Sequence, residues 1–336
     1  MRVLVTGATG RVGSVVVRAL LQKGEAVRAL AFEGDPALSR LQGLDVEIVL
    51  GDLASGRNLE QACAGVDAVI HLGALMAWTR DDWPQLFDIN VRGTFNLLQA
   101  MAGQPAKLHR LVLASTDASY PASAPLYAPV DEHHPQVPNT FYGMTKQVTE
   151  AMALFYGRDR GLPVARARFA FTLAPEELLD PANPHCGHVF YLSARLRRLR
   201  ARRPMTAATQ QMISLFESLQ PADGAERIVI PYGEDGTPWV YTLCHVRDLV
   251  SGILLLLYRP EAVGDVFNLG PAAPFAMDVA LKYLSQASGV PYVEVRLPGA
   301  AQSYTISIAK ARSMLGYAPQ HSIFDMIDEA TGASRA

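Results

Sequence analysis

A tyrosine and a lysine four residues apart are the first residue types in this sequence that could carry chemistry. Tyr142 and Lys146 lie in the stretch NTFYGMTK, and on a helix side chains at this spacing share one face, one turn apart. A phenol has a pKa near ~10, and a neighbouring cation lowers that pKa by favouring the phenolate. A tyrosine tuned in this way can exchange a proton with a substrate hydroxyl or carbonyl group. The same spacing occurs by chance on helix surfaces, so the rest of the chain has to separate the two interpretations.

A glycine-rich loop supplies a second candidate site. In VTGATGRVG, three glycines recur every third residue, directly after the first apolar segment and at the start of a helical pattern. Glycines allow a tight turn and a close approach of the backbone to a pyrophosphate, and the helix N-terminus offers free N–H groups. The loop lacks the Gly-Lys-Ser/Thr ending of an ATP-binding loop, so it predicts a dinucleotide site. The residues predicted to contact the cofactor there are Gly7, Thr9, Gly10, Arg11, Val12 and Gly13.

The end of the second apolar segment is expected to bind the adenosine ribose of that cofactor. An acid at this place accepts from a 2′-hydroxyl, whereas an arginine accommodates a 2′-phosphate. The segment ends ALAFEGD, so Glu33 predicts NAD as the cofactor. Arg11, in the glycine loop, leaves NADP possible.

The composition is that of a globular protein with a sizeable core. The 336 residues are 49% hydrophobic and 18% charged, and a net charge of -2 gives no reason to expect a nucleic acid or a membrane as partner. Three scattered cysteines argue against a disulfide framework. The longest apolar run, GILLLLY, is too short to span a bilayer. We therefore expect a cytoplasmic protein with no metal site, including at HCGH (185–188), where further ligands are missing.

Strand-like and helix-like segments alternate over the first half of the chain. The strand-like segments are RVLVT, AVRALAF, VEIVL, DAVIHLG, RLVLAS and PVARARFAF. This alternation predicts an α/β fold with a Rossmann-like, doubly wound parallel sheet. We assign residues 1–172 to the dinucleotide-binding domain, with 240–270 packing back onto it. Residues 173–239 and 271–330 are predicted to form a smaller C-terminal substrate-binding lobe.

Taken together, the motifs resemble the extended short-chain dehydrogenases/reductases, the NAD-dependent epimerase/dehydratase family. They follow the family's order along nearly the whole chain: TGATGRVG, GDL, HLGA, NVRGTFNLL, STDASY, YGMTK, CHVRDL and GDVFNLG. The resemblance implies that Thr116, Tyr142 and Lys146 are catalytic, with Ser115 as the alternative to Thr116. Thr116 would hydrogen-bond the reacting oxygen, and Lys146 would lower the pKa of Tyr142 and hold the nicotinamide ribose.

The resemblance also implies cofactor contacts outside the glycine loop. For Asn90 a purely structural role is an equally open interpretation. The implied contacts are Asp52, Leu53, Leu72, Gly73, Ala74, Asn90, Tyr142, Lys146 and Phe169.

Three departures from the family's pattern bear on the substrate. Ala118 follows Asp117 where sugar-nucleotide dehydratases carry a glutamate that helps to eliminate water, so dehydration is not expected. Phe171 stands at about the position of an asparagine that holds the substrate in nucleotide-sugar enzymes. The segment WVYTLCHV lacks the arginine that binds a substrate diphosphate. A simpler sugar or sugar acid is therefore as good a candidate as a nucleotide sugar.

The resulting expectation is an NAD(P)-dependent oxidoreductase that transfers a hydride between nicotinamide and a secondary alcohol or ketone of a small polyhydroxylated substrate. A nucleotide-sugar epimerase with tightly bound NAD is the alternative, and a non-catalytic NAD(P)-binding sensor is a third hypothesis. Relatives often dimerise through the helix that bears the Tyr–Lys pair, so we expect a homodimer. The arginine-rich stretch 195–203 is interpreted either as a solvated basic face or as a surface that attracts an anionic substrate.

Overall fold

The protein forms two compact units. The structure is a computed structural model that describes residues 1–104, 108–121 and 125–332. The first unit comprises Met1–Ala170, Val246–Gly270 and Ile306–Pro319. The second comprises Phe171–His245, Pro271–Thr305 and the described residues from Gln320 onward.

The regular elements of the described residues are as follows, in chain order. The strands are β1 (Arg2–Thr6), β2 (Ala26–Ala31), β3 (Val46–Leu50), β4 (Ala68–His71), β5 (Arg110–Thr116), β6 (Val164–Phe169), β7 (Thr172–Leu173), β8 (Ile228–Tyr232), β9 (Val240–Tyr241), β10 (Cys244–His245), β11 (Val266–Leu269), β12 (Phe275–Ala276) and β13 (Tyr292–Arg296). The α-helices are α1 (Arg11–Gln22), α2 (Leu59–Cys63), α3 (Trp83–Leu86), α4 (Gly93–Ala102), α5 (Phe141–Arg160), α6 (Gly187–Phe190), α7 (Leu192–Ala201), α8 (Ala207–Glu217), α9 (Val246–Tyr258), α10 (Met277–Ser288), α11 (Ala309–Leu315) and α12 (Ile323–Thr331). A π-helical segment, Phe87–Arg92, connects α3 to α4.

A seven-stranded sheet forms the centre of the first unit. Its strand order is β11-β6-β5-β4-β1-β2-β3, and every neighbouring pair is parallel. β4 and β5 are buried along their whole length, as parallel strands covered by helices on both faces should be. The predicted doubly wound α/β fold is confirmed. The chain order reverses between β1 and β4, and in such sheets ligands bind beyond the carboxyl ends of the strands at that point.

Local sequence explains where the helices of the first unit begin and end. α1 buries Gly13, Val16, Val17 and Leu20 on one face. Gly24 follows it with a φ of +77°, a left-handed conformation in which a right-handed helix cannot continue. Glycine adopts this left-handed conformation without the penalty a side chain brings, so Gly24 suits the end of α1.

One C-terminal segment groups differently from its sequence assignment. Residues 306–319 belong to the first unit, whereas the predicted boundaries placed them in the smaller lobe. The side-chain amide of Asn268, on β11, donates to the Ser307 carbonyl at 3.2 Å, and Lys310 forms an ion pair with Asp265. These contacts fasten the segment to β11, the edge strand of the large sheet.

The second unit is built from two-stranded pairs and helices. β7 pairs with β10 and β8 with β13 in parallel, while β9 and β12 are antiparallel. On the arginine-rich α7, Arg195 donates to the Val189 carbonyl at 2.7 Å and lies over the Phe216 ring at 5.4 Å. Arg200 pairs with Glu217 at 2.6 Å. Arg195 therefore packs within its own unit, whereas Arg200 forms an exposed ion pair on the surface.

Candidate active site

Helix α5 carries Tyr142 and Lys146 one turn apart, so the two residues lie at the helical spacing considered for them from the sequence. The hydroxyl of Thr140 accepts from the Gly143 N–H at 3.0 Å and caps the first turn. Gly161, with a φ of +66°, ends the helix. Lys146 is 3% exposed and Tyr142 is partly buried, so the pair belongs to an interior face of α5 and not to its solvated surface.

The first turn of α5 lies directly against the turn that follows β5. A Cβ added to Gly143 would stand 2.1 Å from the Ala118 carbonyl oxygen, a distance that only glycine permits. In that turn the Thr116 hydroxyl accepts from the Ala118 N–H at 3.1 Å. Gly143 thus brings the segment that carries Tyr142 against the segment that carries Thr116.

The two candidate hydroxyls at the end of β5 face different surroundings. Ser115 is 2% exposed and donates to the carboxylate of Glu150, on α5. Arg168 binds that carboxylate with two hydrogen bonds, at 3.0 and 2.8 Å. Successive side chains of a strand point to opposite faces, so Thr116 points away from this buried network. This arrangement favours Thr116 over Ser115 as the residue that meets a substrate oxygen.

The protonation of the Tyr–Lys pair differs from the expectation. Burial, together with the smaller effect of the Asp117 charge, raises the pKa of Tyr142 to about 12, against the charge of Arg11. Burial also lowers the pKa of Lys146 to about 8, against the charge of Glu150. The prediction that Lys146 lowers the Tyr142 pKa is therefore wrong for this structure, because desolvation of the phenolate dominates. At neutral pH the phenol holds its proton and can donate it.

A cavity of about 620 Å³ opens at the carboxyl ends of β1, β2 and β4. Its position at the reversal of strand order is the one expected for a dinucleotide. The predicted cofactor residues that line it are Gly7, Thr9, Gly10, Glu33, Asp52, Leu53, Leu72, Gly73 and Ala74. The other predicted cofactor residues, all within the described chain, do not line it: Arg11, Val12, Gly13, Asn90, Tyr142, Lys146 and Phe169.

Two charged residues of this cavity were missed from the sequence. Asp35 accepts from the Thr9 hydroxyl at 2.6 Å and so fixes the loop after β2 against the glycine loop. Arg57 pairs with Glu33 at 3.2 Å. The acid two residues after Glu33 was a usable signal for Asp35. Arg57 had none, because only the fold brings the turn after β3 beside β2.

Asn90 connects the segment after β4 to α5. Its side-chain oxygen accepts from the Leu75 N–H at 2.7 Å, and its amide nitrogen donates to the Leu75 carbonyl at 3.0 Å and to the Thr145 hydroxyl at 3.1 Å. Asn90 is 1% exposed and lies in the π-helical segment. These contacts favour the structural interpretation of Asn90, as a brace between two walls of the site.

His71 organises the opposite wall through a defined chain of hydrogen bonds. The Thr94 hydroxyl donates its proton to the Asn90 carbonyl at 2.6 Å, so it accepts from His71 Nε2–H at 2.9 Å. The other nitrogen of the neutral ring, Nδ1, then accepts from the Thr6 hydroxyl at 2.6 Å, and that hydroxyl accepts from the Gly73 N–H at 3.0 Å. Burial lowers the pKa of His71 to about 3. The ring is therefore neutral, with its proton on Nε2.

The glycine loop has the shape that a pyrophosphate needs. A Cβ on Gly7 would stand 2.8 Å from the Gly73 nitrogen, and Gly7 has a φ of +65°. A Cβ on Gly13 would stand 2.0 Å from the Gly7 carbonyl oxygen. The loop thus lies flat against the segment after β4 and directs the N-terminus of α1 towards the cavity, as anion binding requires.

Substitution of Gly13 by Ala is expected to weaken cofactor binding at least tenfold and to lower Tm. The new methyl group overlaps the Gly7 carbonyl oxygen, so either the loop or α1 must move. Calorimetric titration with NAD and thermal unfolding measure the two effects. Gly103→Ala is the matched control, because the nearest atom to its Cβ would lie at 3.5 Å, an ordinary contact. Equal NAD affinity in both variants would contradict the assignment of Gly13.

Neither a metal-binding cluster nor a membrane-spanning helix occurs among the described residues. No group of three or more His, Cys, Asp or Glu side chains there could hold a metal ion. No helix there combines the length and the apolar character needed to cross a membrane.

A family model, curated proteins and a solved structure all match this chain. The family model described as the NAD dependent epimerase/dehydratase family matches residues 3–270. The chain is 37% identical to sterol demethylase protein B of Methylococcus capsulatus, a match that spans only 52% of this chain and 52% of that protein. It is 28% identical to the UDP-glucose 4-epimerase of Halalkalibacterium halodurans over 98% of this chain and 94% of that one.

A solved structure of similar sequence covers almost the whole chain. It is a short-chain dehydrogenase/reductase superfamily protein from Agrobacterium tumefaciens with bound NAD. The two chains are 34% identical and superpose with a TM-score of 0.87 over 99% of this chain and 97% of that one.

Proposed function

Because the chain belongs to the NAD dependent epimerase/dehydratase family, we propose that it is an NAD-dependent oxidoreductase acting on a secondary alcohol or ketone of a small polyhydroxylated substrate. The observation that carries this proposal is the position of Tyr142 and Lys146. They lie on an interior face of α5, whose first turn packs against the turn of Thr116.

The cavity at the ends of β1, β2 and β4 is the proposed NAD site. Bound NAD supplies the hydride acceptor, and NADH the hydride donor, at the nicotinamide ring. The N–H groups at the start of α1 and the glycines of the loop would bind the pyrophosphate, and Glu33 would accept from the ribose hydroxyls. Asp52 and Leu53, which line the cavity, would contact the adenine. The NAD bound in the similar Agrobacterium tumefaciens protein supports this choice.

Tyr142 is the proposed proton donor and acceptor. Its phenol is protonated at neutral pH, so in the reducing direction it gives its proton to the carbonyl oxygen as that oxygen gains charge. Thr116 would hydrogen-bond the same oxygen and stabilise the charge. Lys146 would hold the nicotinamide ribose, the other role that the family resemblance implies. In the oxidising direction Tyr142 would first release its proton to solvent and then, as the phenolate, take up the proton of the substrate hydroxyl.

The second candidate is a nucleotide-sugar epimerase, and the match to the UDP-glucose 4-epimerase over nearly the whole chain favours it. Such an enzyme oxidises and re-reduces the same carbon and keeps its cofactor bound. The absence of a glutamate at Ala118 argues against a third reaction of the family, dehydration.

Near-ultraviolet absorbance of the nicotinamide tests the proposal. The enzyme is given NAD and then NADP, with a panel of sugars, sugar acids, hydroxy acids and nucleotide sugars. Net reduction of the cofactor with an unactivated compound supports the dehydrogenase. Conversion of a nucleotide sugar without net reduction, with NAD retained through purification, supports the epimerase. No chemical conversion of any compound, with NAD bound, leaves the sensor hypothesis.

The preference for NAD over NADP is expected to depend on the two acids after β2. In a Glu33→Ala, Asp35→Ala double variant, the ratio of kcat/KM with NAD to that with NADP should fall about tenfold or more. A 2′-hydroxyl loses its acceptor, and a 2′-phosphate no longer meets two carboxylates. Initial rates with each cofactor measure the ratio. Glu60→Ala, which removes an exposed acid of α2 that does not line the cavity, is the control. An unchanged ratio in the double variant would refute the ribose assignment.

A further inference from the structure

Two exposed tryptophans lie in the segment that follows β4, within the first unit. Trp78 is 44% exposed and Trp83 is 39% exposed. The Trp78 ring meets the Tyr142 ring edge to face, with 5.8 Å between centroids and 66° between planes. A large aromatic side chain normally gives its surface to a core or an interface. Here an indole stays open to solvent beside the tyrosine that carries the proposed chemistry.

The position of Trp78 is fixed on both sides along the chain. On one side, both backbone groups of Leu75 are bound by the side chain of Asn90. On the other side, the Thr79 N–H and hydroxyl both donate to the Asp82 carboxylate, at 3.1 and 2.6 Å. The indole is therefore presented by a segment with its own anchoring contacts.

Trp83 has a different neighbour and a different role. Its ring stacks on Phe141, the first residue of α5, with 4.6 Å between centroids and 8° between planes. The Arg80 guanidinium lies 5.6 Å from the centroid of the Trp83 ring. Trp83 thus fastens the segment to the start of α5, while Trp78 contacts the neighbouring Tyr142 edge to face.

We propose that Trp78 forms a ring-binding subsite, which makes the substrate a cyclic secondary alcohol or ketone with an apolar ring face beside its reacting oxygen. This inference rests on the proposed function of Tyr142. A substrate oxygen that hydrogen-bonds the Tyr142 phenol brings its adjoining carbon atoms within reach of the indole. The ring C–H groups of a pyranose, which lie on one face, cover an indole well. An open-chain hydroxy acid or alditol has no such face and gains little from Trp78.

Steady-state kinetics with matched substrates tests the subsite. The probes are the pyranose of the panel with the highest kcat/KM and its open-chain alditol. Trp78→Ala is expected to raise KM for the pyranose about tenfold with little change in kcat, since stacking binds substrate and transition state alike. Trp78→Phe should restore most of the affinity. Trp83→Phe, which replaces the other exposed indole but keeps an aromatic ring against Phe141, should change KM less than threefold.

Fluorescence gives a readout that does not depend on turnover. The chain has three tryptophans, so a Trp83→Phe, Trp239→Phe variant leaves Trp78 as the sole indole. Tyr142→Phe is added to this variant to prevent turnover and the formation of NADH. Titration of the NAD-bound protein with the pyranose should then change its emission with a midpoint near the KM of the unmodified enzyme, and the alditol should not.

The possible outcomes distinguish a failure of the Trp78 subsite from a failure of the proposed oxidoreductase function. Absence of conversion by the unmodified enzyme with every compound defeats the proposed function. Conversion of open-chain compounds alone, or an unchanged pyranose KM in a folded Trp78→Ala, overturns the subsite and leaves the function standing. A change of oligomeric state in Trp78→Ala with unchanged KM would show that a second copy of the chain covers the indole, and also overturns it.

Discussion

Substitution of Tyr142 by Phe is expected to lower kcat/KM by about 10²–10⁴, the usual contribution of a positioned acid or base. Only the hydroxyl is lost, so the ring keeps its contact with Trp78 and α5 keeps its packing. NAD affinity and Tm should therefore change little. Initial rates, calorimetric titration with NAD and thermal unfolding measure the three quantities.

The matched control for this variant is Tyr156→Phe. Tyr156 lies on the same helix and is 9% exposed, and its hydroxyl has no proposed chemical role. Its kcat/KM should stay within about threefold of the unmodified enzyme. If Tyr142→Phe kept full activity, the phenol would not transfer the proton. If neither Tyr142→Phe nor the unmodified protein converted any compound, and the variant kept the biological activity of the unmodified protein in cells, the sensor hypothesis would be favoured.

Substitution of Glu150 by Gln is expected to destabilise the protein by about 3–5 kcal/mol, the usual result of removing one partner of a buried ion pair. Glu150 is 2% exposed and binds Arg168, which is 4% exposed, and Ser115. The glutamine would leave the Arg168 guanidinium buried without a counter-charge. Arg168 also donates to the Tyr120 hydroxyl at 2.7 Å, and this contact cannot replace a carboxylate. Urea unfolding and Tm measure the loss.

Glu217→Gln provides the comparison for a surface pair. Glu217 binds Arg200 at 2.6 Å, but their side chains are 44% and 54% exposed. Exposed pairs contribute about 0–1 kcal/mol, so this variant should unfold nearly as the unmodified protein does. Equal stability of the Glu150 and Glu217 variants would show that the buried network around Ser115 contributes no more than a surface pair.

The sequence predicted the fold well because its main signals are local. Alternating apolar segments and helical patterns are dictated by which side chains each element must bury, so the parallel sheet followed from them. The ends of α1 and α5 also have a local cause, since Gly24 and Gly161 adopt left-handed conformations that end a helix.

What the sequence missed depends on contacts between distant segments. Arg57 reaches Glu33 only because β3 lies beside β2, and no spacing rule connects the two residues. Residues 306–319 join the first unit through contacts to β11 that a linear boundary could not show. The pKa of Tyr142 depends on how much water burial removes, a property of the packed site and not of the Tyr–Lys spacing.

The side chains at the end of strand β5 alternate between its two faces, and this alternation separates Ser115 from Thr116. The Ser115 hydroxyl donates to Glu150. On the proposed function, Ser115 therefore supports the buried network and Thr116 meets the substrate. Inserting or deleting one residue in β5 would exchange the two roles, because every side chain would change face. The Glu150–Arg168 pair, by binding Ser115, thus fixes which of the two hydroxyl side chains lies on each face of β5.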